Sequence, residues 1–356
     1  MSAVFGEHIK ISIFGESHGP AIGVTAEGFD AGFKINVEAL QEFLSLRAPG
    51  GRMSTKRKEP DIVKFLSGVK DDVICGSTLT AIIENTDTRS GDYSNLYDIP
   101  RPGHADYTAQ IKYKGSQDVR GGGHFSGRLT APLCIAGGIA KQILAKKGIE
   151  IYARIKSIGT LTDEAPTAYP KLSEMKKIDL RFPVYNQDKA EAFENIVEEA
   201  RMNGDSLGGV IECAVFGVPA GFGGPLFEGI EGRISQAVFG IPAVKGIEFG
   251  SGFDGSKMYG SENNDGFYFD DEGNVKTYTN NHGGILGGVS SGMPIYFSVA
   301  FKPTPSIAKK QKSISLKNKE NTDLEIKGRH DPCVVLRAVP CVISAAALTI
   351  YDLLKE

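Results

Sequence analysis

The sequence predicts an α+β protein with helices packed on largely antiparallel sheets. Strand-like and helix-like segments occur without a sustained β-α-β alternation, and no segment repeats at a fixed period. Of the 356 residues, 41% are hydrophobic and 23% are charged. This composition is ordinary for a globular protein, and we interpret residues 1–356 as a single domain.

Hydrophobic periodicity predicts the elements of the first half in chain order. Residues 10–14 form a short strand, and residues 37–47 form a helix with apolar side chains at helical spacing that ends before a Gly-Gly pair. Residues 78–84 have the pattern of a buried strand. Residues 130–147 form a helix whose alanines and glycines suit close packing against another element.

The second half repeats this mixture of elements. Helices are predicted at residues 188–203, 230–238 and 341–354, and strands at residues 210–218, 244–249 and 294–301. Pro340 interrupts the longest apolar stretch, which is also too short to cross a bilayer, so no membrane role is predicted. Residues 160–187 are polar and contain prolines, and residues 309–327 are rich in lysine, so both are expected to be surface excursions.

Charge, cysteine usage and failed motifs exclude several functions. A net charge of −3 argues against general attraction to nucleic acid or membranes, and the basic run at residues 52–58 lacks interleaved aromatic residues. Five cysteines without a C-x-x-C pair indicate neither a disulfide framework nor a metal site, which fits a reducing cytoplasm. Residues 250–255 match G-x-G-x-x-G, but no amphipathic helix follows, so a turn is predicted there.

Four glycine-flanked segments carry histidine or arginine side chains, namely residues 15–19, 101–106, 121–128 and 328–332. A single histidine of this kind is more often a hydrogen-bonded turn residue than a catalyst, and Arg329 with Asp331 would by itself suggest a surface ion pair. Their co-occurrence in an acidic protein indicates an acid/base enzyme with a phosphorylated or polycarboxylated substrate. A non-catalytic phosphate- or nucleotide-binding protein remains the alternative.

These segments, in this order, resemble the chorismate synthase family. The likeness includes GESHG at 15–19, KEPD at 58–61, RPGHADY at 101–107, GVPAG at 217–221, GGILGG at 283–288, FKPTPS at 301–306 and GRHDPC at 328–333. It implies a lyase of the shikimate pathway that converts 5-enolpyruvylshikimate 3-phosphate to chorismate and phosphate by a 1,4-elimination. It also implies reduced FMN as cofactor without net redox change, a β-α-β sandwich with helices between two antiparallel sheets, and a cytoplasmic homotetramer. Whether NADPH or an external reductant reduces the flavin stays open.

The resemblance also implies the roles of individual residues. His18 would donate a proton to the leaving phosphate, His104 would supply a proton to the N1 side of the flavin, and Asp331 would direct deprotonation at flavin N5. The substrate clamp would comprise Arg47, Arg52, Arg101, Arg128 and Arg329. The flavin contacts would comprise Ser126, Thr130, Asn280, Gly283, Gly284, Lys302, Thr304 and Ser306.

The sequence departs from the family pattern at three places. His124 and Phe125 follow the triple glycine where the family usually has arginine and serine. The segment from Arg47 to Arg52 is shorter than usual, which affects the register of Arg52. Ile343 stands in the last helix where the family commonly has glutamate.

Overall fold

The computed structural model describes residues 3–48, 60–86, 96–326 and 331–355. The helices are α1 (Val37–Ser45), α2 (Asp106–Lys112), α3 (Thr130–Lys146), α4 (Leu172–Met175), α5 (Asp188–Met202), α6 (Ile230–Phe239), α7 (Gly260–Asn263) and α8 (Val335–Leu353). The strands are β1 (Val4–Phe5), β2 (Lys10–Gly15), β3 (Ala21–Glu27), β4 (Lys64–Ser67), β5 (Val69–Lys70), β6 (Val73–Ile74), β7 (Leu79–Glu84), β8 (Glu150–Ile158), β9 (Leu161–Thr162), β10 (Gly209–Phe216), β11 (Val244–Phe249), β12 (Phe267–Phe269), β13 (Val275–Thr277), β14 (Ile285–Leu286), β15 (Val289–Ser290), β16 (Ile295–Phe301), β17 (Gln311–Ser315) and β18 (Glu320–Leu324).

Two five-stranded antiparallel sheets form the framework of the protein. The first has the order β1-β2-β3-β7-β4, and the second has the order β11-β16-β10-β8-β9. In the second sheet Cys213 on β10 lies between Phe297 on β16 and Ala153 on β8, and all three side chains are buried. Each sheet therefore has an apolar face that must be covered.

The long helices α3 and α8 fill the space between the sheets. Helix α3 packs against the first sheet and against α8, while α8 packs on β8 and β10 of the second sheet. Both helices are buried around most of their circumference, which is typical of helices enclosed on all sides. The predicted α+β sandwich, with helices between two antiparallel sheets, is confirmed.

The start of the last helix was predicted wrongly. Helix α8 begins at Val335 and contains Pro340 in its first two turns, whereas the prediction placed the start after the proline. An interior proline costs about 3 kcal/mol, and burial of the helix between two sheets offsets that cost. By length and composition α8 is apolar enough to cross a membrane, but 89% of its most apolar window is buried inside the protein, as expected for a core helix.

The sequence patterns missed strands β3 and β8. Strand β3 contains Gly23, where an added Cβ would lie 2.4 Å from Cζ of Phe14, so the glycine makes room for an aromatic ring on the neighbouring strand. Strand β8 contains Arg154, whose Nε donates to Glu212 Oε1 at 2.8 Å. The strand thus contains a buried ion pair, although charged side chains are rarely fully buried.

The two segments expected at the surface both contribute to buried clusters. In residues 160–187, Asp163 is fully buried and accepts a hydrogen bond from Arg154 at 3.1 Å, while Met175 packs in a small apolar cluster. The lysine-rich segment forms the β17-β18 hairpin, and Leu324 packs against Leu96 beneath it. The G-x-G-x-x-G match leads into a short 3-10 helix, Gly252–Lys257, rather than an α-helix.

Helices α3 and α8 cross at a glycine. A Cβ added at Gly137 would lie 2.2 Å from Cβ of Ser344. We expect Gly137→Ala to lower the free energy of unfolding by about 1–3 kcal/mol, because the added methyl group forces the two buried helices apart. Urea unfolding monitored by circular dichroism measures this change.

Gly232 in α6 is the matched control, because an added Cβ there meets nothing within 4 Å. Gly232→Ala is expected to raise the free energy of unfolding by up to about 1 kcal/mol through better helix propensity. Equal effects of the two substitutions would contradict a tight crossing at Gly137.

Candidate active site

A cavity of about 710 Å³ lies beside the first residues of α3 and α8. Its wall comes from segments that are far apart in the sequence, at residues 17, 47, 101–105, 121–130, 239–245, 301–306 and 331–341. Ten of the expected site residues line it, namely Arg47, Arg101, His104, Ser126, Arg128, Thr130, Lys302, Thr304, Ser306 and Asp331. Arg52 and Arg329 lie outside the described residues.

A glycine turn separates the two histidines. Gly121 and Gly122 have φ angles of 60° and 89°, in the left-handed region that glycine adopts without strain. A Cβ at Gly121 would lie 2.3 Å from Cε1 of His18, and a Cβ at Gly122 would lie 3.2 Å from Nε2 of His104. The turn therefore lets both imidazoles approach its backbone, with His18 behind Gly121 and Ser17 at the cavity wall.

Asp106 and Arg101 surround the second histidine. Nδ1 of His104 lies 2.6 Å from Oδ1 of Asp106, and Nε of Arg101 donates to Oδ2 of Asp106 at 2.7 Å. Burial by itself would raise the pKa of Asp106, but the hydrogen bonds from Arg101 and His104 outweigh it and hold this pKa well below its usual range. Asp106 is therefore an ionised carboxylate at neutral pH.

A second buried carboxylate, Asp61, holds two arginines of the cavity wall. Arg47 Nε donates to Asp61 Oδ2 at 3.0 Å, and Arg47 Nη2 and Arg128 Nη1 form ion pairs with its two oxygens. The side chain of Asp61 is fully buried. Burial raises its pKa, but the two guanidinium groups together lower it below the usual value. Arg128 Nε also donates to Asn85 Oδ1 at 3.1 Å, which fixes its direction.

Arg337 is a cavity residue that the sequence analysis missed. It forms an ion pair with Asp331, and its Nε donates to the backbone oxygen of Arg47 at 2.9 Å. Burial lowers the pKa of Arg337, an effect that the charge of Asp331 opposes. The sequence signal for Arg337 was its position six residues after Asp331. Because the predicted helix began only after Pro340, Arg337 was not assigned to a secondary-structure element.

The segment after β16 is tied to the loop that carries His104. Arg101 Nη1 donates to Ser306 Oγ at 3.1 Å, and Lys302 Nζ donates to the backbone oxygen of Gly103. Burial lowers the pKa of Lys302, and the neighbouring charge of Lys245 lowers it further. Lys245, Lys302 and Ser306 all line the cavity, and ammonium groups with a hydroxyl suit the binding of a phosphate.

Three expected flavin contacts do not line this cavity. Asn280 Nδ2 donates to the backbone oxygen of Pro294 at 2.9 Å, and Asn280 Oδ1 accepts from the backbone nitrogen of Gly284 at 2.9 Å. An added Cβ at Gly283 would lie 2.6 Å from the backbone nitrogen of Gly250. In this chain Asn280, Gly283 and Gly284 therefore shape the turn before β14.

The residues that depart from the family pattern lie in two different parts of the structure. His124 and Phe125 both line the cavity, with His124 Nδ1 3.2 Å from the backbone oxygen of Gly15 and the ring of Phe125 6.1 Å from that of Tyr113. Ile343 is 2% exposed and packs in the core. An apolar side chain at position 343 therefore belongs to the helix packing and not to the cavity.

The pairing of Asp61 with two arginines leads to a stability prediction. Asp61→Asn removes the negative charge that the buried guanidinium groups of Arg47 and Arg128 both contact, so we expect the free energy of unfolding at pH 7 to fall by about 3–5 kcal/mol. Urea unfolding of both proteins measures the difference. Asp323→Asn is the control, because Asp323 also contacts two basic side chains, Lys310 and Lys312, but at the surface, and no measurable change is expected.

The difference in stability between the wild type and Asp61→Asn should depend on pH. The pKa of Asp61 is lower in the folded protein than in the unfolded chain, so its contribution is complete above about pH 4 and is lost as the pH falls through the folded-state pKa. The stability gap between the wild type and Asp61→Asn should therefore shrink on acidification. A gap that widens in acid would contradict the pairing.

The chain is similar to known proteins over nearly its whole length. The chorismate synthase family model matches residues 9–354. The chain is 45% identical to the chorismate synthase of Korarchaeum cryptofilum (strain OPF8) and 47% identical to that of Thermococcus kodakarensis, covering 98% of this chain and 96% of each relative. A crystal structure of a chorismate synthase superposes with a TM-score of 0.76 at 25% identity, covering 98% of this chain and 92% of that one. The chain belongs to the chorismate synthase family, which is a family of lyases.

Proposed function

We propose that this protein converts 5-enolpyruvylshikimate 3-phosphate to chorismate and phosphate by a 1,4-elimination that requires reduced FMN. The observation that carries the proposal is the convergence of His104, Asp331 and several basic side chains on one cavity, in a chain of this family. The non-catalytic alternative, a phosphate- or nucleotide-binding protein, has no support among the relatives.

The charge of the cavity supports a substrate with one phosphate and two carboxylates. Within the described ranges, Asp331 is the one acidic residue in the wall, whereas the basic residues are Arg47, Arg101, Arg128, Lys245, Lys302 and Arg337. Because several of these groups are mostly buried, their attraction for anions is weakly screened by water. Arginines fixed by Asp61 and Asp106 present oriented donors, which suits carboxylate and phosphate recognition.

The residues present also fit a flavin mononucleotide. A volume of about 710 Å³ lies within the usual range for sites that bind molecules of this size. Lys302, Thr304 and Ser306 would hold the phosphate, and the apolar residues 241–244 with Ala338 offer a surface for a ring system. The chemistry expected of reduced FMN is electron-rich assistance to the loss of phosphate and hydrogen, with no net redox change.

The chain itself supplies proton transfer and positioning. We assign to His18 the donation of a proton to the leaving phosphate oxygen. His18 is not itself in the cavity wall, but its neighbours Ser17 and Gly121 are. We assign to His104 a proton held at Nε2, and to Asp331 the acceptance of a proton. The arginine clamp orients the substrate and excludes water from the reacting centre.

We also propose that the protein is a cytoplasmic homotetramer. All five cysteines are free thiols, which supports a reducing compartment. Large apolar side chains are exposed within residues 226–278, where Phe227 is 94% and Phe269 is 75% exposed. Exposed apolar surface on this scale supports burial against other copies of the chain.

The proposed reaction predicts a dependence on both histidines. His18→Ala and His104→Ala are each expected to lower kcat by about 10²–10⁴-fold, because a positioned proton donor is lost. Anaerobic phosphate release from 5-enolpyruvylshikimate 3-phosphate with dithionite-reduced FMN measures this effect. His8→Ala is the control, since His8 is exposed and does not line the cavity, and its kcat should equal that of the wild type.

The same assay decides the cofactor and its reductant. Turnover that is equally fast in rigorously flavin-free buffer would disprove the flavin requirement. Turnover with FMN and NADPH alone would show that the protein reduces its own flavin, whereas turnover only after dithionite would indicate an external reductant.

The proposed assembly predicts a mass of four times the 38.1 kDa chain by light scattering after size exclusion. Phe227→Lys is expected to lower this mass, because it places a charge in the surface that would be buried between copies. Met202→Lys is the control, since Met202 is 72% exposed at the end of α5, outside the apolar region. A monomeric wild type would rule out the tetramer.

A further inference from the structure

The carboxylate of Asp106 contacts both His104 and Arg101, which belongs to the proposed substrate clamp. Asp106 is the first residue of α2, and its side chain is 5% exposed. Oδ2 accepts from the backbone nitrogen of Arg101 at 3.0 Å and from its Nε at 2.7 Å, while Oδ1 accepts from its Nη2 at 2.8 Å. Three donors of one arginine therefore converge on this single carboxylate.

The fourth contact of Asp106 fixes the histidine. His104 Nδ1 lies 2.6 Å from Asp106 Oδ1, and an ionised carboxylate only accepts hydrogen bonds. Nδ1 must therefore carry the hydrogen, which leaves Nε2 as the nitrogen that gains and loses a proton. Nε2 lies close to Gly122, the neighbour of Gly121 in the cavity wall.

A short contact between Arg101 and His104 explains why the carboxylate is needed. Arg101 Nη2 lies only 3.2 Å from His104 Nδ1, and both atoms carry hydrogen when Nδ1 donates to Asp106. Without a carboxylate, the guanidinium charge would oppose protonation of the imidazole at short range. With Asp106 present, a negative charge lies beside both groups and offsets this repulsion.

We propose that Asp106 is a positioning residue for the elimination, which holds His104 in the Nδ1–H tautomer, keeps it protonatable at Nε2 and fixes the direction of Arg101. The proposal rests on the proposed function, because it assigns Asp106 a role in that same site. Asp106 acts through His104 and Arg101 and does not itself line the cavity.

The pH dependence must be considered with every charged or titratable group near the imidazole. Arg101 and Asp106 lie in the same loop as His104, and His18 lies across the glycine turn. Asp118 precedes that turn, and Lys302 lies in the segment after β16. Asp106 is the one of these groups that contacts an imidazole nitrogen of His104 and carries a negative charge. Its removal should therefore be the largest change in the charge around the imidazole.

The experiment compares kcat and KM as a function of pH for the wild type, Asp106→Asn and Asp106→Glu, with saturating reduced FMN. Asp106→Asn should lower kcat by about 10–100-fold and move the loss of activity at high pH to a lower pH, because the negative charge beside the imidazole is lost while that of Arg101 remains. Asp106→Glu keeps the negative charge and should recover most of kcat and the original profile. A role limited to structure would change stability without moving the pH profile.

Asp205→Asn is the matched control, because Asp205 contacts Lys309 Nζ at 2.7 Å in a salt bridge outside the cavity. It should leave kcat and the pH profile unchanged. Asp106→Asn with the wild-type pH profile would overturn the proposal.

A measurement on the unaltered protein covers the case in which Asp106→Asn does not fold. Nitrogen-15 NMR of histidine-labelled protein, with the signals of His104 assigned by their absence in His104→Gln, reports the tautomer of the neutral ring. Hydrogen on Nδ1 is expected, and hydrogen on Nε2 would overturn the proposal. This measurement needs no turnover, so an inactive wild type would disprove the proposed function without deciding the role of Asp106.

Discussion

Carboxylates paired with arginines hold the cavity together. Asp61 pairs with Arg47 and Arg128, and Asp106 pairs with Arg101. A buried guanidinium group without a counter-charge is strongly unfavourable, so each pair makes it possible to place an arginine in a site largely closed to water. The arginines are thereby fixed before any ligand arrives, which lowers the entropy cost of orienting an anionic substrate.

The layer arrangement determines where these pairs form. Helices α3 and α8 both begin at the cavity, where Thr130 and Val334 form part of the wall. The N-terminal end of a helix carries a partial positive charge from the helix dipole, which adds to the attraction for anions. The two helices stay close because Gly137 lets their backbones cross without a side chain between them.

Glycine also has a role at the site, where both its backbone conformation and its lack of a side chain matter. The Gly121-Gly122 turn adopts positive φ angles and lies between two imidazoles. A side chain at either position would displace His18 or His104, so the turn fixes the separation of the two proposed proton donors. The cavity thus combines rigid cations, rigid imidazoles and an apolar surface from residues 241–244.

The sequence alone determined the fold class, the five longest helices, five strands of the two large sheets and the chemical types at the site, because periodicity and glycine-flanked motifs are local properties of the chain. It did not reveal strands β3 and β8, whose pattern is altered by Gly23 and Arg154, nor the true start of α8. Only the tertiary structure decided that Arg337 and Asp61 belong to the site and that Asn280 shapes a distant turn. The physical reason is that charge pairing and burial depend on distances between segments far apart in the chain, which no local pattern records.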